Sequence, residues 1–410
     1  MGQTQFIVAQ LGARMHYAVP RILQACGQLE RLFTDICAVR GWPRLLKLVP
    51  TQLRSEPISR LLSRVPIGVP SNRVAAFNNF GYQYARRRNS NPSEDQLSVH
   101  LWAGREFCRR ILDAGLGSAT GVFTFNSAGL ELLHAAKREG LRAVMEQTIA
   151  PMNVELQLLS DEAARFPGWE GSTKIEGTCA ALYCDREQSE WQLADIILCG
   201  SDFVRDGIAQ CGGPVEKCVV VPYGVDSPIP KSEPRKRERS APLHVLTVGS
   251  VGLRKGSPYV LQAAQRLKGE AVFRMVGHIG VENEAELQLR EHLELVGAVP
   301  KGELSRHFAW ADVLLLPSLC EGSATVTYEA LACARPVICT HNTGSVARDG
   351  LEGFIIPIRD SAAIVEKIRQ LREDHDLLRQ LSENAMVRAS EFTIAEYGGR
   401  LINALHMGCN

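Results

Sequence analysis

The sequence predicts an α/β protein built from two doubly wound domains, each a parallel sheet flanked by helices, that face each other across a cleft. A chain of 410 residues exceeds what one hydrophobic core usually organises, so two domains are expected. Short apolar runs alternate with amphipathic segments in both halves, a pattern typical of parallel strands joined by helices. Residues 223–242 are rich in proline and charge and are predicted to be the interdomain linker.

The composition is that of an ordinary soluble globular protein, with 45% hydrophobic residues, 22% charged residues and a net charge of +1. This balance gives no global reason to expect a nucleic-acid partner. The chain shows no apolar run near the ~18 residues of a membrane-spanning helix and no visible secretory signal. Its twelve cysteines form no C-x-x-C pair. We therefore expect a cytoplasmic protein with buried reduced thiols, and metal binding or disulfides stay open as alternatives.

Residues 1–222 are predicted to form the N-terminal domain. Gly12 directly follows the first strand, where a residue without a side chain lets the backbone approach a ligand, and a helix predicted to reach Leu29 presents its N-terminus there. A tight turn without a ligand is an equal alternative. Asn126-Ser127 and Ser201-Asp202 are predicted to cap helices, while residues 152–180 favour neither helix nor strand. The strands of this half are expected at residues 5–10, 32–39, 121–125, 141–145, 195–199 and 219–221.

Residues 40–90 differ from the rest of the chain in charge. They hold ten basic residues and one acid, Glu56, interleaved with Trp42 and several leucines. Basic-apolar helices with a tryptophan suit an anionic membrane surface, so this segment is a candidate for peripheral contact at the inner membrane face. An ordinary solvated face over a small satellite core is the alternative. One local patch in a near-neutral chain is thin support for nucleic-acid binding, and none is expected.

Residues 243–385 repeat the alternation and are predicted to form the C-terminal domain. Ligands of parallel sheets bind beyond the carboxyl ends of the strands, so the loops that follow these strands should line the cleft. The strands are expected at residues 243–248, 272–276, 313–316, 337–340 and 354–357, and the helices at 258–267, 284–295, 303–310, 324–334 and 361–383.

The loop from Gly249 to Gly256 joins a predicted strand to a predicted helix. Its Arg254 and Lys255 supply charge-assisted donors that suit a diphosphate. The loop has neither the P-loop spacing nor the G-x-G-x-x-G spacing, so neither of those mechanisms transfers to it. A plain surface turn is the alternative.

Glu321 lies in the loop after the strand at 313–316, and Glu329 lies two turns further along, so both carboxylates can face one crevice. A solvated acidic edge is one interpretation, and glycoside hydrolysis is another, although it needs carboxylates on facing walls of a cleft. The spacing of the two carboxylates fits two separate contacts to one long ligand better. Carboxylates accept hydrogen bonds from vicinal hydroxyls, while residues 323–325 offer N–H groups at a helix start for phosphate. Together with the basic loop at 249–256, the pair predicts a nucleotide-diphosphate sugar as the ligand.

The acid pair also carries a family resemblance. The pair forms the spacing Glu321-x7-Glu329 within the longer pattern Pro317-Ser-x-x-Glu-Gly-x-x-x-x-x-x-Glu-Ala-Leu-Ala. This pattern resembles the E-x7-E motif of family 4 glycosyltransferases. Members of that family are retaining enzymes with the GT-B fold of two Rossmann-like domains. The resemblance covers roughly residues 185 to 400, and the first half only by layout. Further segments recur in the family's order, namely residues 194–201, 221–226, 246–256, 276–277, 297–300 and 311–312.

The resemblance implies a metal-independent hexosyltransferase without a cofactor, which uses a UDP- or GDP-linked sugar and a glycan or lipid acceptor in polysaccharide-type biosynthesis. Glu321 would be the catalytic residue that holds the sugar, Lys255 would bind the diphosphate and Glu329 the ribose. A last helix within residues 386–410 would cross back onto the N-terminal domain. The other implied donor contacts are Gly249, Ser250, Arg254, Gly322, Ser323, Ala324 and Thr325, with Val299 and Leu304 at the base. The acceptor-side candidates are Gly12, Arg14, His16 and Gln147.

Two positions depart from the family's pattern. Many members carry an arginine where this chain has Ser250, and Arg254 is a candidate replacement. Many also carry a histidine at the end of the strand that here ends in Glu146-Gln147. Because of these departures, a catalytically silent nucleotide-sugar-binding protein and a sugar-nucleotide epimerase of similar architecture stay open as alternatives.

Overall fold

The computed structural model describes residues 4–90, 96–170, 178–226, 238 and 241–407, which form two parallel sheets. The N-terminal sheet has seven strands in the order β3-β2-β1-β4-β5-β6-β7, and the C-terminal sheet has six in the order β10-β9-β8-β11-β12-β13. The strands are β1 Phe6–Gln10, β2 Leu29–Thr34, β3 Val74–Ala76, β4 Gly121–Phe125, β5 Arg142–Gln147, β6 Ile196–Cys199, β7 Cys218–Val220, β8 Leu243–Val248, β9 Ala271–Val276, β10 Glu294–Gly297, β11 Val313–Leu316, β12 Val337–Thr340 and β13 Gly353–Ile356.

Helices connect the strands and cover both sheets, which confirms the predicted class of two doubly wound α/β domains with the GT-B architecture. They are α1 Ala18–Ala25, α2 Glu56–Leu62, α3 Asn78–Ser90, α4 Gln96–Ala114, α5 Leu130–Arg138, α6 Met152–Arg165, α7 Thr178–Leu193, α8 Asp202–Gln210, α9 Ser257–Arg266, α10 Asn283–His292, α11 Leu304–Trp310, α12 Thr325–Ala332, α13 Ser361–Glu373, α14 His375–Ser390 and α15 Ile394–His406.

Each sheet is wound outward in two directions from a central pair of strands. In the N-terminal sheet the order reverses between β1 and β4, and in the C-terminal sheet between β8 and β11. Connections leave opposite faces of the sheet at such a switch point, which opens a crevice at the carboxyl ends of the two strands. The two crevices are therefore expected at the loops after β1 and β4 in one domain and after β8 and β11 in the other.

The central strands are buried on both faces, as their unbroken apolar sequence predicts. All five residues of β1 and of β4 are buried, and Val313 to Leu316 of β11 have no exposed surface. This two-sided burial is the reason that the strand predicted at 313–316 coincides with β11 and the strand predicted at 121–125 with β4.

Several elements differ from the sequence-based prediction. The helix after β1 ends at Ala25, because the chain turns at Gly27 with a φ of 70°, and β2 begins already at Leu29. The pattern does not predict β3, a three-residue edge strand, or β10, whose apolar residues continue the helical period of α10. Residues 152–180, which show no clear pattern, contain α6 and the start of α7.

One of the two predicted helix caps is correct. The Ser201 hydroxyl accepts a hydrogen bond from the Val204 N–H at 3.4 Å and caps α8. Asn126-Ser127 does not cap α5, which begins at Leu130, because the Asn126 side chain accepts from the Thr148 N–H at 3.2 Å instead. The eleven cysteines among the described residues are free thiols, and Cys409 lies outside those residues.

The last helix returns to the N-terminal sheet. α15 packs against α1, and Leu401, Ala404 and Leu405 are buried in the same apolar cluster as strands β1 and β2. The division predicted at residue 385 falls inside α14, whose Ala385 packs in the C-terminal domain, and the chain crosses after Ser390. Most of the predicted linker, residues 227–237 and 239–240, lies outside the described residues. No helix in the described part of the chain is long and apolar enough to span a bilayer.

The packing of α15 predicts a large stability cost for Leu401→Ala. Leu401 has no exposed surface, so its truncation removes buried apolar area and leaves a cavity, a loss of about 2–5 kcal/mol in the free energy of unfolding. The urea midpoint of the N-terminal domain measures the loss. Leu287→Ala is the matched control, because Leu287 is 64% exposed, and it should leave the midpoint unchanged. Equal midpoints for the two variants would contradict the packing.

Candidate active site

A buried ion-pair cluster lies at the carboxyl ends of β8 and β11. The Lys255 Nζ lies 2.6 Å from the Glu321 Oε1, and the Arg254 Nη1 lies 3.1 Å from the same oxygen. Lys255 and Glu321 are each only 8% exposed. Because an unpaired buried charge is costly, each of these groups holds the other in place. The structure thus brings together three of the predicted donor-site residues.

Two glycines allow the loop after β8 to pack closely on itself and on the loop after β11. At Gly249, with a φ of 138°, a Cβ atom would lie 2.8 Å from the Lys255 Cε, so the lysine chain passes directly over this residue. At Gly256, with a φ of 71°, a Cβ atom would lie 2.2 Å from the Pro317 carbonyl oxygen. The Arg254 guanidinium also donates to the Cys320 carbonyl at 3.0 Å. The glycines therefore set the position of the charged side chains.

Glu155 is a second carboxylate at this cluster, and the sequence-based prediction misses it. It lies in the first turn of α6 and interacts electrostatically with Arg254 and Glu321 from the N-terminal domain. Burial raises the pKa of Glu155, and the neighbouring Glu321 adds to this effect while Arg254 opposes it. Burial lowers the pKa of Arg254, but attraction to Glu321 and Glu155 outweighs it and the pKa is raised. Only the fold reveals Glu155, because no local pattern marks α6.

The start of α12 differs from the expectation that residues 323–325 offer free N–H groups. The Ala324 N–H donates to the Thr343 carbonyl at 3.1 Å, so it is not available to a ligand. The Ser323 hydroxyl donates to the Gly344 carbonyl at 3.1 Å and lies 2.6 Å from the Tyr328 hydroxyl. Thr325 and Glu329 are half-buried one turn apart on α12, so they share a face.

The residues predicted to line a nucleotide base pack in the C-terminal domain together with the end of β8. Val299 and Leu304 are partly buried and pack, with Val248 at the end of β8, on the same apolar cluster of the C-terminal domain. A half-exposed apolar surface at a sheet edge suits one face of a base ring. Ser250 is exposed in the loop after β8.

On the N-terminal side, Arg14 organises a buried network. Its Nε donates to the Glu146 Oε1 at 3.2 Å, and its Nη2 donates to the Thr148 carbonyl at 3.3 Å and to the Tyr223 hydroxyl at 2.5 Å. The Tyr223 hydroxyl in turn donates to the Glu146 Oε1 at 2.8 Å. Glu146 is 2% exposed, so this carboxylate relies on Arg14 for its charge partner.

The turn that carries Arg14 has a rare backbone conformation. Met15, His16 and Tyr17 follow each other with φ values of 46°, 51° and 60°, a left-handed run that residues with a Cβ seldom adopt. Buried Tyr17 anchors the turn, and exposed His16 is presented outward. Gly12, at a φ of 77°, donates its N–H to the Asp35 carboxylate at 2.9 Å. Strained backbone of this kind clusters at functional sites.

Gln147, the fourth acceptor-side candidate, does not face the cleft. It has no exposed surface, and its amide donates to the Glu187 carboxylate at 2.8 Å and accepts from the Trp191 Nε1 at 2.9 Å. The sequence-based assignment of Gln147 to the acceptor side is therefore not supported by its position. Its amide also donates to the Ile149 carbonyl at 3.1 Å and so holds the loop at 148–151 in place.

The two halves of the site meet at Gly322. A Cβ atom there would lie 2.0 Å from the Thr148 carbonyl oxygen, the atom that also accepts from Arg14. The Ala150 N–H donates to the Glu321 carbonyl at 3.2 Å, and the Ser201 hydroxyl donates to the Gly322 carbonyl at 2.5 Å. The loops after β5 and β6 thus contact the loop after β11, and the site is formed by both domains.

α6 joins the domains along one side of this site. Its Glu162, with no exposed surface, accepts from the Arg359 Nε of the C-terminal domain at 2.7 Å. After α6, Trp169 packs in the apolar cluster of the C-terminal domain, and the Glu170 carboxylate accepts from the Leu253 N–H at 2.6 Å. The loop that holds Lys255 is therefore in contact with the segment that follows α6.

The chain is similar to known glycosyltransferases in sequence. Residues 229–388 match the family model described as glycosyl transferases group 1. The chain is 28% identical over 243 residues to the putative colanic acid biosynthesis glycosyltransferase WcaL of Salmonella typhimurium, a match that covers 54% of this chain and 57% of the relative. It is 27% identical over 229 residues to the O-antigen chain mannosyltransferase B of Escherichia coli, covering 52% and 60%. The chain thus spans somewhat more than half the length of these relatives, and the matches support the expected class, a glycosyltransferase.

The fold is similar to that of solved two-domain proteins over nearly the whole chain. The Anabaena protein HepE, in complex with UDP and glucose, superposes with a TM-score of 0.62 over 99% of this chain and 100% of that chain, at 14% identity. The sucrose-phosphate synthase of Thermosynechococcus elongatus gives a TM-score of 0.63 at 16% identity, covering 98% of this chain and 99% of that chain. At these identities the likeness concerns the fold alone.

Two buried carboxyl groups on α7 predict a stability that depends on pH. Glu187 accepts from the Met152 N–H at 2.8 Å, and Glu190 accepts from the Gly129 N–H at 3.0 Å. Burial raises the pKa of each to about 7. An unfolded glutamate titrates near ~4.3, so between these values the folded chain binds more protons than the unfolded chain. The stability that these two groups contribute should therefore be fully present below about pH 4 and fall as the pH rises toward about 7.

The variant Glu187→Gln tests this sign, because it removes one of the two titrating groups. The decline that these groups cause in the free energy of unfolding between about pH 4 and about pH 7, followed by melting at each pH, should become shallower by the contribution of one group, on the order of 3 kcal/mol. Glu139→Gln, at an exposed position, is the matched control and should keep the full decline. A slope unaltered by Glu187→Gln would show that this carboxyl group does not hold a proton in the folded protein at neutral pH.

Proposed function

We propose that the protein is a retaining glycosyltransferase that moves a hexose from a UDP- or GDP-linked sugar to a glycan or lipid-linked acceptor. The observation that carries this proposal is the cluster of Arg254, Lys255 and Glu321 at the point where the carboxyl edges of two parallel sheets meet. The match of residues 229–388 to glycosyl transferases group 1 supports it. So do the polysaccharide and O-antigen enzymes among its relatives and the UDP and glucose held by HepE.

The donor contacts follow from charge and position. A diphosphate takes over the charge pairing of Lys255 and Arg254, since it carries more negative charge and more acceptor oxygens than a single carboxylate. This exchange leaves the Glu321 oxygens to accept from sugar hydroxyls. Glu329, half-buried on α12, accepts from the ribose hydroxyls, and Val299 with Leu304 covers one face of the base.

The reaction needs no covalent intermediate on the protein. The bond from the anomeric carbon to the phosphate oxygen breaks, and the acceptor hydroxyl oxygen forms its bond on the same face. The hydroxyl proton passes to the leaving phosphate oxygen, so the products are the glycoside and the nucleoside diphosphate. Glu321 positions the sugar, while Arg254 and Lys255 stabilise the charge that develops on the leaving phosphate.

The acceptor side is formed by the left-handed turn after β1. Arg14 is held by Glu146 and Tyr223, and its Nη2 lies against the Thr148 carbonyl that touches Gly322. An acceptor hydroxyl that enters between this turn and the loop after β11 therefore reaches the sugar held by Glu321. Exposed His16 is a further contact on the same turn.

The variant Lys255→Ala is expected to lower sugar transfer by more than about 100-fold, because it removes a positive charge aimed at the leaving phosphate. Transfer is measured as nucleoside diphosphate released from UDP- and GDP-sugars, with product analysis for the anomeric configuration. Lys268→Ala, an exposed lysine of the same domain, is the matched control and should retain full activity.

Three outcomes of this experiment would reject the proposal. Unchanged turnover in Lys255→Ala with an intact fold excludes a role for the cluster in the reaction. Tight nucleotide binding by the wild-type protein without transfer or donor hydrolysis identifies a silent nucleotide-sugar binder. Conversion of the donor sugar without any acceptor identifies an epimerase.

A further inference from the structure

Exposed apolar side chains are concentrated in one part of the N-terminal domain. Of the large hydrophobic residues that are exposed among the described residues, nearly half lie between positions 42 and 82, and the others are scattered over the rest of the chain. Leu48 is 81% exposed and Leu53 is 73% exposed. The members of this set, named here the 42–82 face, are Trp42, Leu45, Leu48, Leu53, Ile67 and Tyr82.

Local contacts hold these side chains on a common support. The helical turn Trp42–Leu48 packs against α2. The Arg54 guanidinium donates to the Val49 carbonyl at 2.9 Å, which ties the turn at 51–53 to the end of the first turn. The Trp42 and Tyr82 rings meet edge to face with centroids 6.3 Å apart, which joins α3 to the same surface. The exposed leucines are therefore held by ordered backbone around them.

The surroundings of the 42–82 face are strongly cationic. Residues 40–90 hold ten basic residues and one acid, Glu56, which lies 3.7 Å from Arg60 on α2. Arg44 and Lys47 are exposed on the turn between the leucines, and residues 86–88 are exposed arginines on α3. Arg86 follows Tyr82 by one helical turn and lies on the same face of α3.

Exposed leucines and an aromatic ring beside many cations suit an anionic lipid surface better than a protein partner. The apolar side chains enter the boundary between headgroups and acyl chains, while arginine and lysine pair with lipid phosphates. A second copy of this chain would bring like charges together. A nucleic acid would use the cations and leave the leucines in water.

We propose that the 42–82 face docks the protein on a membrane leaflet that contains anionic phospholipid. This inference rests on the proposed function in one respect, because it selects the lipid-linked class among the acceptors. The sugar is then transferred to an acceptor that a lipid anchors in the same leaflet.

The position of the face relative to the active site supports this selection. The segment that carries it leaves β2 at Asp35, a carboxylate that is 3% exposed. Asp35 accepts from the Gly12 N–H at 2.9 Å and from the Arg64 Nη1 at 3.0 Å. At Gly81, a Cβ atom would lie 2.8 Å from the Asp35 carbonyl carbon, so α3 is in close contact there as well. The docking segment and the turn that carries Arg14 are therefore tied to one side chain.

Vesicle flotation tests the proposal with the full chain. Wild-type protein should float with phosphatidylcholine vesicles that contain phosphatidylglycerol, lose this binding as salt is added, and stay behind with pure phosphatidylcholine. The double variant Leu48→Glu, Leu53→Glu should bind the anionic vesicles at least about tenfold more weakly. The matched control is Leu287→Glu, Val387→Glu, whose residues are 64% and 68% exposed in the C-terminal domain, and it should bind like the wild type.

Failure of wild type to bind anionic vesicles, or equal binding by the two double variants, would overturn the proposal and leave a protein partner as the occupant of the face. Thermal stabilisation by UDP or GDP, measured on the same samples, should be equal in all of them, because the face is separate from Lys255. A wild-type protein that binds vesicles but neither UDP nor GDP would reject the proposed function and not the docking surface.

Discussion

The ion pair between Lys255 and Glu321 is the contact on which the site depends. Both groups are buried at the junction of two loops, so each requires the other, and removal of one would leave an uncompensated charge. The loops come close enough only because Gly249 and Gly256 carry no Cβ. The same pair keeps a positive charge at the position where the proposed donor places its diphosphate.

Two networks extend from this pair into the N-terminal domain. Through Gly322 and Thr148 the loop after β11 is in contact with Arg14 and its carboxylate partner Glu146. Through α6 and the segment that follows it, the carboxylates of Glu155, Glu162 and Glu170 reach the C-terminal domain. Any opening of the cleft must break contacts in both networks, so both oppose a change in the relative position of the domains.

The N-terminal domain combines the turn proposed for the acceptor side with the surface proposed for lipid docking. Asp35 contacts both, since it accepts from Gly12 on one side and from Arg64 on the other. Asp35 therefore connects the cationic segment at 40–90 to the turn that carries Arg14.

The sequence by itself determined the fold class and most central strands, and it marked the candidate donor contacts that the proposed function uses. Buried parallel strands are continuous apolar runs, and the Arg254-Lys255 loop and the Glu321-x7-Glu329 spacing are each local patterns, so they are visible without coordinates. Only the tertiary structure decided that Gln147 is buried, that Glu155 joins the cluster and that the Ala324 N–H is occupied. These facts depend on contacts between residues far apart in the chain, and no local period of charge or hydrophobicity records such contacts.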